Sequence, residues 1–353
     1  MKLPSKIHNL VWLQTSFIGD IVLTTAAMKV AAEHFPAARQ HLITTKVGAE
    51  VLAGLHHLTS VHVFDKRGSS LWAAARDIRR ALGAQLSPGG GVLLRPHKSF
   101  RSALLARYLR GLGLSTITYA ESDAAWLDDV RVPRVAPLHE AARIGLLLEP
   151  LGVPRSAIVA ARPSLPKASL SGEGWQAALA EAPRPTIGIA PGSVWGTKRW
   201  TPEGFAELVE NLLSRTAGSV VMLGSAGEKE LIAAIKSRAG GKPGGANRII
   251  DLGGVTTLKD LAKVYPRLDL VVSNDSSPVH YAAAYDVPTV AVFGATTSSM
   301  GFGPLASRSR VVEMDLDCRP CSDHGPQVCP LGHFKCMREL RAETVVAKCL
   351  ELL

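Results

Sequence analysis

Short apolar runs alternate with helical segments along the whole chain, and this alternation restricts the possible folds more than any other feature. In the first half, Leu10 to Leu13 and Val92 to Leu94 are apolar runs that each precede a helical segment. In the second half, Thr186 to Ala190 and Leu268 to Val272 repeat the pattern. Strands that alternate with helices are typical of parallel sheets with helices on their faces. The sequence therefore predicts an α/β protein.

Length and proline content indicate where the chain divides. A single hydrophobic core seldom grows beyond about 250–300 residues, so a chain of 353 residues favours two domains. Five prolines within residues 154–185 indicate a linker. We predict two doubly wound domains around a central cleft, with an N-terminal domain over 1–165, a linker over 166–185 and a C-terminal domain over 186–337. The glycine-rich stretch Gly240 to Gly245 is predicted to be a surface turn.

The balance of charge limits the partners and the compartment. The formal net charge of +10 favours acidic partners such as nucleotides, phosphorylated sugars and anionic lipid surfaces. The cations are scattered and not interleaved with aromatic residues, so nucleic acid is disfavoured. The apolar run near the N-terminus, Leu10 to Leu13, is too short for a signal sequence or a membrane span. We therefore expect a cytoplasmic protein whose five cysteines are thiols or metal ligands rather than disulfides.

A polar turn follows the strand predicted at Thr186 to Ala190. Its loop contains Ser193, Thr197 and Lys198. The carboxyl ends of parallel strands are where an open α/β sheet binds ligands. Hydroxyl groups, free backbone N–H groups and a cation in such a loop suit a phosphate or pyrophosphate. The alternative is a basic surface turn, because the loop is not a Walker sequence.

A second polar turn follows the strand predicted at Leu268 to Val272. It contains Asp275, Ser276 and Ser277, and His280 comes shortly after. A serine that caps the next helix would explain the hydroxyl residues, but not the acid and the histidine at the same edge. Two such turns in one half of the chain favour a site for a phosphorylated ligand.

Two acidic residues near helix starts have both a structural and a functional interpretation. Asp20 follows Gly19 in the first strand–helix turn, where an Asp is most often an N-cap but could also be a general base. Glu228 follows a strand and opens a helix, where an acid either binds ribose hydroxyls or simply favours the helix dipole. The first turn lacks GxGxxG, which disfavours a dinucleotide dehydrogenase.

A cationic cluster and a cysteine cluster are the remaining candidates. The segment Arg95 to Arg101 places four potentially cationic side chains at a strand end. This suits an acidic acceptor, although charged residues are usually solvated surface. Near the C-terminus a CxxC pair is followed by two more cysteines, with His324 and His333 nearby. In a reducing compartment they suggest a structural zinc site, with buried free thiols as the alternative. The candidate ligands are Cys318, Cys321, Cys329 and Cys336.

Taken together, these residues resemble the lipopolysaccharide heptosyltransferases of glycosyltransferase family 9 over nearly the whole chain. The N-terminal matches are the Gly19-Asp20 turn and Lys98-Ser-Phe-Arg-Ser-Ala103. The C-terminal matches are Pro191-Gly-Ser-Val-Trp, Thr197-Lys-Arg-Trp200, Asn274-Asp-Ser-Ser-Pro-Val-His280 and the cysteine-containing segment 329–337. The Thr-Lys-Arg-Trp form looks closer to the second heptosyltransferase than to the first. The resemblance implies a GT-B fold, inverting transfer from ADP-heptose and no catalytic metal.

The resemblance also implies residue roles, carried over position by position. Asp20 would deprotonate the acceptor hydroxyl, and Lys198 would neutralise the leaving diphosphate. Glu228 would hold the nucleotide ribose, and Asp275 and His280 would contact the donor sugar and phosphate. The other members of the implied donor site are Ser193, Val194, Thr197, Ser276 and Ser277.

Two departures from the family pattern affect these roles. Family members usually carry Gly where this chain has Ser277, so the approach of the backbone to the phosphate would differ there. The cluster from Arg95 to Lys98 also differs from the commoner pattern, which leaves open the acceptor that Lys98 and Arg101 would bind. The last segment, 338–353, is predicted to be a helix that could return to the N-terminal domain, as GT-B tails do.

The leading hypothesis is transfer of heptose from ADP-heptose onto the phosphorylated inner core of lipopolysaccharide, which is lipid A–Kdo or its heptosylated form. Catalysis would need no cofactor. The positive charge would hold the protein peripherally at the anionic cytoplasmic face of the inner membrane. One alternative keeps the fold and changes the sugar, nucleotide or acceptor. Another is a GT-B-like binding protein without turnover.

Overall fold

The computed structural model describes residues 3–65, 70–239 and 246–353 of the chain. The chain forms two compact units, Met1–Pro166 and Lys167–Leu353. Each unit is built on one six-stranded sheet whose neighbouring strands pair in parallel. The turn predicted at Gly240 to Gly245 lies outside the described residues. Two α/β units, each with its own parallel sheet, confirm the predicted fold class.

The N-terminal unit has the strand order of a doubly wound nucleotide-binding sheet. Its strands are β1 (Asn9–Leu13), β2 (Arg39–Thr44), β3 (Leu58–Val63), β4 (Gly91–Arg95), β5 (Leu114–Tyr119) and β6 (Val130–Val132). Their order across the sheet is β3-β2-β1-β4-β5-β6. Its α-helices are α1 (Ile18–His34), α2 (Lys46–Val51), α3 (Leu71–Gly83), α4 (Phe100–Leu109), α5 (Glu140–Gly145) and α6 (Arg155–Ala160).

The C-terminal unit repeats this topology. Its strands are β7 (Thr186–Ala190), β8 (Ser219–Met222), β9 (Ile249–Asp251), β10 (Leu270–Asn274), β11 (Thr289–Phe293) and β12 (Ser309–Glu313). Their order is β12-β11-β10-β7-β8-β9, the same arrangement read from the other edge. Its α-helices are α7 (Trp175–Ala180), α8 (Pro202–Arg215), α9 (Lys229–Ala239), α10 (Leu261–Val264), α11 (Ser277–Tyr285), α12 (Lys335–Arg338) and α13 (Ala342–Leu350).

In each unit, the two central strands bring two of the predicted polar turns together. Every residue of β1, β4, β7 and β10 is buried, as expected for parallel strands that have helices on both faces. In the N-terminal unit β1 pairs with β4, and in the C-terminal unit β7 pairs with β10. Each unit therefore places two of the predicted turns side by side at the carboxyl edge of its sheet.

The predicted linker and C-terminal tail both differ from expectation. Residues 167–185 belong to the C-terminal unit and include α7, and Ala168 N donates to Ala262 O at 3.0 Å. The terminal helix α13 also belongs to this unit and does not follow the predicted return to the N-terminal domain. Val345 and Val346 are fully buried in the same core as α8 and β11, so the apolar face of α13 is already used there. Arg215 and Glu343 add an ion pair at 2.9 Å between α8 and α13.

None of the helices within the described ranges is long and apolar enough to cross a membrane.

Candidate functional site

Asp20 lies in the first turn of α1 but does not cap it. The helix begins at Ile18, and the N-cap is Phe17, which makes no side-chain capping hydrogen bond. The N-cap interpretation of Asp20 is therefore wrong, because Asp20 is the third residue of the helix. The backbone at this point is fixed by Thr24, whose Oγ1 donates to Asp20 O at 2.7 Å.

The surroundings of Asp20 make it an unusually basic carboxylate. Burial has the largest effect and, together with the negative charge of Glu140, raises the pKa of Asp20 from 3.8 to about 6. A hydrogen bond from the Ser16 side chain, the charge of Arg134 and a backbone hydrogen bond from Phe17 oppose this rise in pKa. A carboxylate with this pKa is largely ionised near neutral pH and accepts a proton more readily than an ordinary Asp, as a general base requires.

Glu140 acts on Asp20 from a buried cluster of charges that sequence reasoning missed. It is the first residue of α5, and Oε2 accepts hydrogen bonds from Arg134 Nη2 and from Arg143 Nη1, the latter at 3.3 Å. Tyr119 at the end of β5 is fully buried, and burial together with the charge of Glu140 raises its pKa well above the usual value. The available sequence signal was weak, because Glu140 reads as an ordinary first-turn acid of a helix.

The predicted acceptor cluster after β4 divides into exposed and buried cations. Lys98 and Arg101 are exposed at the start of α4, where a ligand could reach them. Arg95 is fully buried, and its Nη2 lies 2.6 Å from Asp128 Oδ2 in an ion pair. It is therefore a structural residue and not one of the cations that face a ligand. The buried guanidinium must be paired because an isolated charge is costly to remove from water.

In the C-terminal unit, Lys198 and Asp275 form the centre of the predicted donor site. Lys198 Nζ lies 2.6 Å from Asp275 Oδ2, although the two residues belong to turns after different strands. Both side chains are largely buried, at 13% and 6% exposed. Thr296, after β11, donates its hydroxyl hydrogen to the same carboxylate oxygen at 2.6 Å. The structure thus joins the two turns that the sequence predicted separately, and adds Thr296 to them.

The loop that carries Lys198 is held by Asn274, the last residue of β10. Asn274 Nδ2 donates to Pro191 O at 2.7 Å, and Oδ1 accepts from Trp200 N at 3.0 Å, so both ends of the loop are fixed. Within the loop, Ser193 Oγ accepts from Trp195 N at 3.4 Å. The predicted donor residues differ in exposure, since Ser193 and Thr197 are buried and Val194 is 65% exposed.

The second turn leads into α11, and its serine side chains do not cap that helix. Ser276 is the N-cap but makes no side-chain capping hydrogen bond, and its hydroxyl instead donates to Gly192 O at 3.4 Å. Ser277 is the first helical residue, and His280 is buried one turn later. The capping explanation for the two serines is therefore not supported. Backbone N–H groups at the start of this nine-residue helix are suitable donors for an anion.

The carboxylate of Glu228 caps the start of a helix. Its Oε2 accepts from Ser225 N at 2.6 Å and from Ser225 Oγ at 2.8 Å, which forms a capping box before α9. Oε1 is directed at Gly192, where a Cβ atom would lie only 1.4 Å from it. Glu228 is therefore adjacent to the Ser193 loop, as its predicted ribose-binding role requires.

The cysteine-containing segment braces the loop over residues 191–200 that carries Lys198, which is the predicted donor loop. Thr197 N and Oγ1 both donate to Pro326 O, at 3.3 and 2.5 Å. The Gln327 side chain accepts from Gly196 N at 3.0 Å and donates to Val194 O at 3.2 Å. The loop conformation that presents Lys198 therefore depends on a segment about 130 residues further along the chain, and sequence reasoning did not anticipate this contact.

The same segment does not have the form of the predicted zinc site. Cys318, Cys321 and Cys329 are half-buried and Cys336 is buried, all as free thiols. Burial and the neighbouring thiols raise the pKa of Cys321 and of Cys336, the latter to about 11. Among the residues that the structure describes, no group of three or more His, Cys, Asp or Glu side chains could hold a metal ion. Zinc binding by these four cysteines stays a prediction from their spacing.

Comparison with known proteins gives one family. The sequence model of glycosyltransferase family 9 (heptosyltransferase) matches residues 79–330. Lipooligosaccharide heptosyltransferase 2 of Campylobacter jejuni subsp. jejuni serotype O:2 is 32% identical over 168 residues, which are 47% of this chain and 50% of that protein. The chain thus spans about half the length of this curated relative.

Solved structures give the same fold over almost the whole chain. The family 9 glycosyltransferase from Veillonella parvula DSM 2008 superimposes with a TM-score of 0.80 at 21% identity, covering 100% of this chain and 98% of that one. Escherichia coli ADP-heptose lipopolysaccharide heptosyltransferase II superimposes with a TM-score of 0.75 at 20% identity, covering 98% of each chain. These similarities confirm the predicted GT-B class of fold.

Proposed function

This chain belongs to glycosyltransferase family 9, and we propose that it is an inverting transferase that moves L-glycero-D-manno-heptose from ADP-heptose onto the inner core of lipopolysaccharide. The observation that carries the proposal is the difference between the two carboxylates at the sheet edges. Asp20 has a pKa raised to about 6, whereas Asp275 is paired with a lysine at 2.6 Å. One unit thus offers a base, and the other offers a cation for a diphosphate.

In the proposed reaction, the Asp20 carboxylate removes the proton from an acceptor hydroxyl. The acceptor oxygen then forms a bond to the anomeric carbon of heptose from the side opposite ADP, and the bond from that carbon to the diphosphate oxygen breaks. The configuration inverts because attack and departure occur on opposite faces. ADP leaves with the electron pair, and the proton stays on Asp20 until it passes to water.

The leaving diphosphate gains negative charge as that bond breaks, and the donor site is suited to stabilise it. Lys198 Nζ supplies a cation, and the N-terminus of α11 supplies backbone N–H groups already oriented toward an anion. In the proposal, donor binding changes the position of Lys198, which then pairs with both Asp275 and the diphosphate. Glu228 and His280 would contact the ribose and donor phosphate. The mechanism uses no metal ion.

The acceptor and the place of action are part of the same proposal. Lys98 and Arg101, exposed at the start of α4, would bind the phosphorylated, Kdo-bearing core. The protein would work at the cytoplasmic face of the inner membrane, where its net charge of +10 favours anionic lipid. Similarity to heptosyltransferase 2 proteins favours an acceptor that already bears one heptose.

A structural zinc ion held by the four clustered cysteines is a separate proposal, which metal analysis of the purified protein tests.

The test is release of ADP by purified protein given ADP-heptose with lipid A–Kdo acceptors that bear zero or one heptose. We expect release with the one-heptose acceptor, and its loss in Asp20→Asn. The matched control is Glu33→Gln, which removes an exposed carboxylate from the same helix and should leave release unchanged. Tight ADP-heptose binding without release on either acceptor would contradict the proposed acceptor or turnover. Absence of ADP-heptose binding would contradict the assignment of ADP-heptose as the donor.

A further inference from the structure

The positive charge of this protein is concentrated in one unit. Residues 1–166 contain 20 Lys and Arg and 11 Asp and Glu, a formal net charge of +9. Residues 167–353 contain 20 Lys and Arg and 19 Asp and Glu, a formal net charge of +1. The two units have the same topology, so the fold does not require this asymmetry. It points to an acidic partner of the N-terminal unit specifically.

Two helices of the N-terminal unit carry exposed aromatic and basic side chains on regular helical spacings. On α3, Trp72, Arg76 and Arg80 are four residues apart and exposed, so they lie on one side of the helix. On α4, Phe100 and Arg107 are seven residues apart and exposed, so they also share a side. Trp72 and Phe100 are 56% and 53% exposed, which is unusual for large aromatic residues.

Two residues of α3, Trp72 and Arg79, pack against Tyr108 of α4, so the two helices are in direct contact. The Trp72 ring packs edge-on against Tyr108 of α4, with ring centroids 6.0 Å apart. The Arg79 guanidinium lies 5.0 Å from the Tyr108 centroid and donates to Gly111 O at 3.2 Å. The acidic Asp77 also lies on α3, 3.5 Å from Arg80, and offsets one positive charge. Arginine remains in excess on both helices.

We propose that this α3–α4 face, comprising Trp72, Arg76, Arg80, Phe100 and Arg107, docks the protein on an anionic lipid bilayer. Arginine heads attract anionic headgroups, while their aliphatic stems and the exposed aromatic rings favour the boundary between headgroups and acyl chains. The link to catalysis rests on the proposed function. Lys98 and Arg101 stand at the start of α4, so docking through this face would hold the proposed acceptor-binding cations near the headgroups of a lipid-linked acceptor.

Vesicle flotation tests the docking surface without donor or acceptor. Wild type is mixed with vesicles of phosphatidylcholine containing about a third phosphatidylglycerol, at low and high salt. The test variant is Arg76→Gln/Arg80→Gln/Arg107→Gln. Each arginine near an anionic surface is worth about a fivefold change in partitioning, so the triple variant should bind on the order of a hundredfold more weakly. Binding by wild type should weaken with salt, because the charges are exposed.

The matched control is Lys259→Gln/Arg267→Gln/Arg308→Gln, three exposed cations of the C-terminal unit. It lowers the net charge equally and should bind vesicles within a fewfold of wild type. A second variant, Trp72→Ser/Phe100→Ser, should lose the binding that persists at high salt. The positions of both triple variants are exposed, so their thermal unfolding should be nearly unchanged. Trp72→Ser/Phe100→Ser also loses the ring contact with Tyr108 and should unfold at a slightly lower temperature.

Several results would overturn the docking surface. Equal loss in both triple variants would mean that total charge, not this face, attracts lipid. Wild-type binding by the arginine variant would exclude the face altogether. Binding of wild type to RNA or an acidic protein, but not to vesicles, would assign another partner class.

An activity assay separates this inference from the proposed function. The arginine variant should retain transfer to a deacylated, water-soluble acceptor and lose it on a vesicle-embedded acceptor. Loss on both acceptors would contradict a docking role for the face and indicate a direct role in the reaction. Absence of transfer in wild type, with vesicle binding intact, would overturn the proposed reaction and leave the docking surface standing.

Discussion

The two units share one strand order, yet the aspartates at their sheet edges have opposite electrostatic surroundings. In the N-terminal unit, burial and the charge of Glu140 raise the pKa of Asp20 to about 6. Asp275 of the C-terminal unit lies 2.6 Å from Lys198 and 2.6 Å from Thr296 Oγ1. Topology thus places a carboxylate at the same edge in both sheets, and the neighbouring side chains decide whether it is suited to take up a proton or to position a cation.

The same contrast extends to the surfaces of the units. The N-terminal unit has a formal net charge of +9 and the C-terminal unit +1, with equal numbers of Lys and Arg. The difference therefore comes from the acids, which number 11 and 19. Ion pairs such as Arg238–Glu203 and Arg310–Glu351 use acids of the C-terminal unit to balance its arginines. The arginines of α3 and α4 have fewer acidic residues near them in the sequence than the arginines of the C-terminal unit have. These two helices therefore carry a basic surface.

Asp20→Asn should give the largest loss of activity in the molecule. Removal of a general base lowers kcat about 10²- to 10⁴-fold, with little change in ADP-heptose binding, because the proposed donor site is in the other unit. Steady-state kinetics and donor titration measure the two effects separately. A tenfold or smaller loss of kcat would contradict the assignment of Asp20 as the base.

The same substitution should stabilise the fold. Between the ordinary pKa of 3.8 and the raised value of about 6, the native state binds more protons at Asp20 than the unfolded state does. The free energy of unfolding of wild type therefore falls as pH rises through this window. Asn does not titrate, so Asp20→Asn should match wild type near pH 4 and exceed it by about 2 kcal/mol above pH 7, a value reduced for partial solvent exposure. Denaturant unfolding across this pH range measures the difference.

Lys198→Met should lower activity and stability together, unlike the change at Asp20. Loss of a cation that stabilises developing charge lowers kcat about 10²- to 10³-fold. It also leaves the largely buried Asp275 carboxylate unpaired, which costs about 3 kcal/mol. The double variant Lys198→Met/Asp275→Asn should recover most of the stability but none of the activity. If the double variant is no more stable than the single one, the ion pair is not the reason for the loss.

Glu140→Gln should shift the pH dependence of the reaction with a smaller effect on its maximum rate. The negative charge of Glu140 raises the pKa of Asp20, and its removal also leaves the charge of Arg134, which lowers the pKa of Asp20, without its paired carboxylate. The acid limb of kcat/KM, expected near pH 6, should therefore move to lower pH, and the maximum should fall a fewfold because Asp20 becomes a weaker base.

The control for this shift is Glu121→Gln. Glu121 accepts a hydrogen bond from Arg134 N but is exposed, and its charge is not among the causes of the raised pKa of Asp20. Its pH profile should follow wild type. An unchanged acid limb in Glu140→Gln would contradict a contribution of Glu140 to the pKa of Asp20.

Sequence patterns predicted the elements whose physical signal is local. The bounds of the strand Thr186–Ala190 were predicted to the residue, because a continuous apolar run followed by a polar turn marks a buried parallel strand. Strand β5 was missed because Ser115, Thr116 and Thr118 interrupt its apolar pattern, although all three are buried. The edge strands β6, β9 and β12 were missed because they are short or partly exposed.

Site residues were predicted when their chemistry was evident in a single turn, and missed when it depended on distant contacts. Lys198 and Asp275 were identified from their own turns, although their 2.6 Å contact was not. Glu140 acts on Asp20 across 120 positions of sequence, and Thr296 reaches Asp275 from the next strand. Arg95 was grouped with the exposed cations because spacing does not show that the last residue of a strand faces inward to Asp128.

Removal of the Gln327 side chain, which braces the donor loop, should give the smallest effect on activity of these substitutions. It tests whether support of Lys198 by a distant segment of the chain matters. The Gln327 side chain makes two hydrogen bonds to backbone atoms of Gly196 and Val194, at 3.0 and 3.2 Å, and each is worth about 1 kcal/mol. Gln327→Ala should therefore raise KM for ADP-heptose about tenfold or less and leave the acid limb set by Asp20 unchanged. The control Gln85→Ala removes an exposed Gln from the N-terminal unit and should alter neither. A change in the acid limb without a change in KM would contradict the separation of the base and the donor loop between the two units.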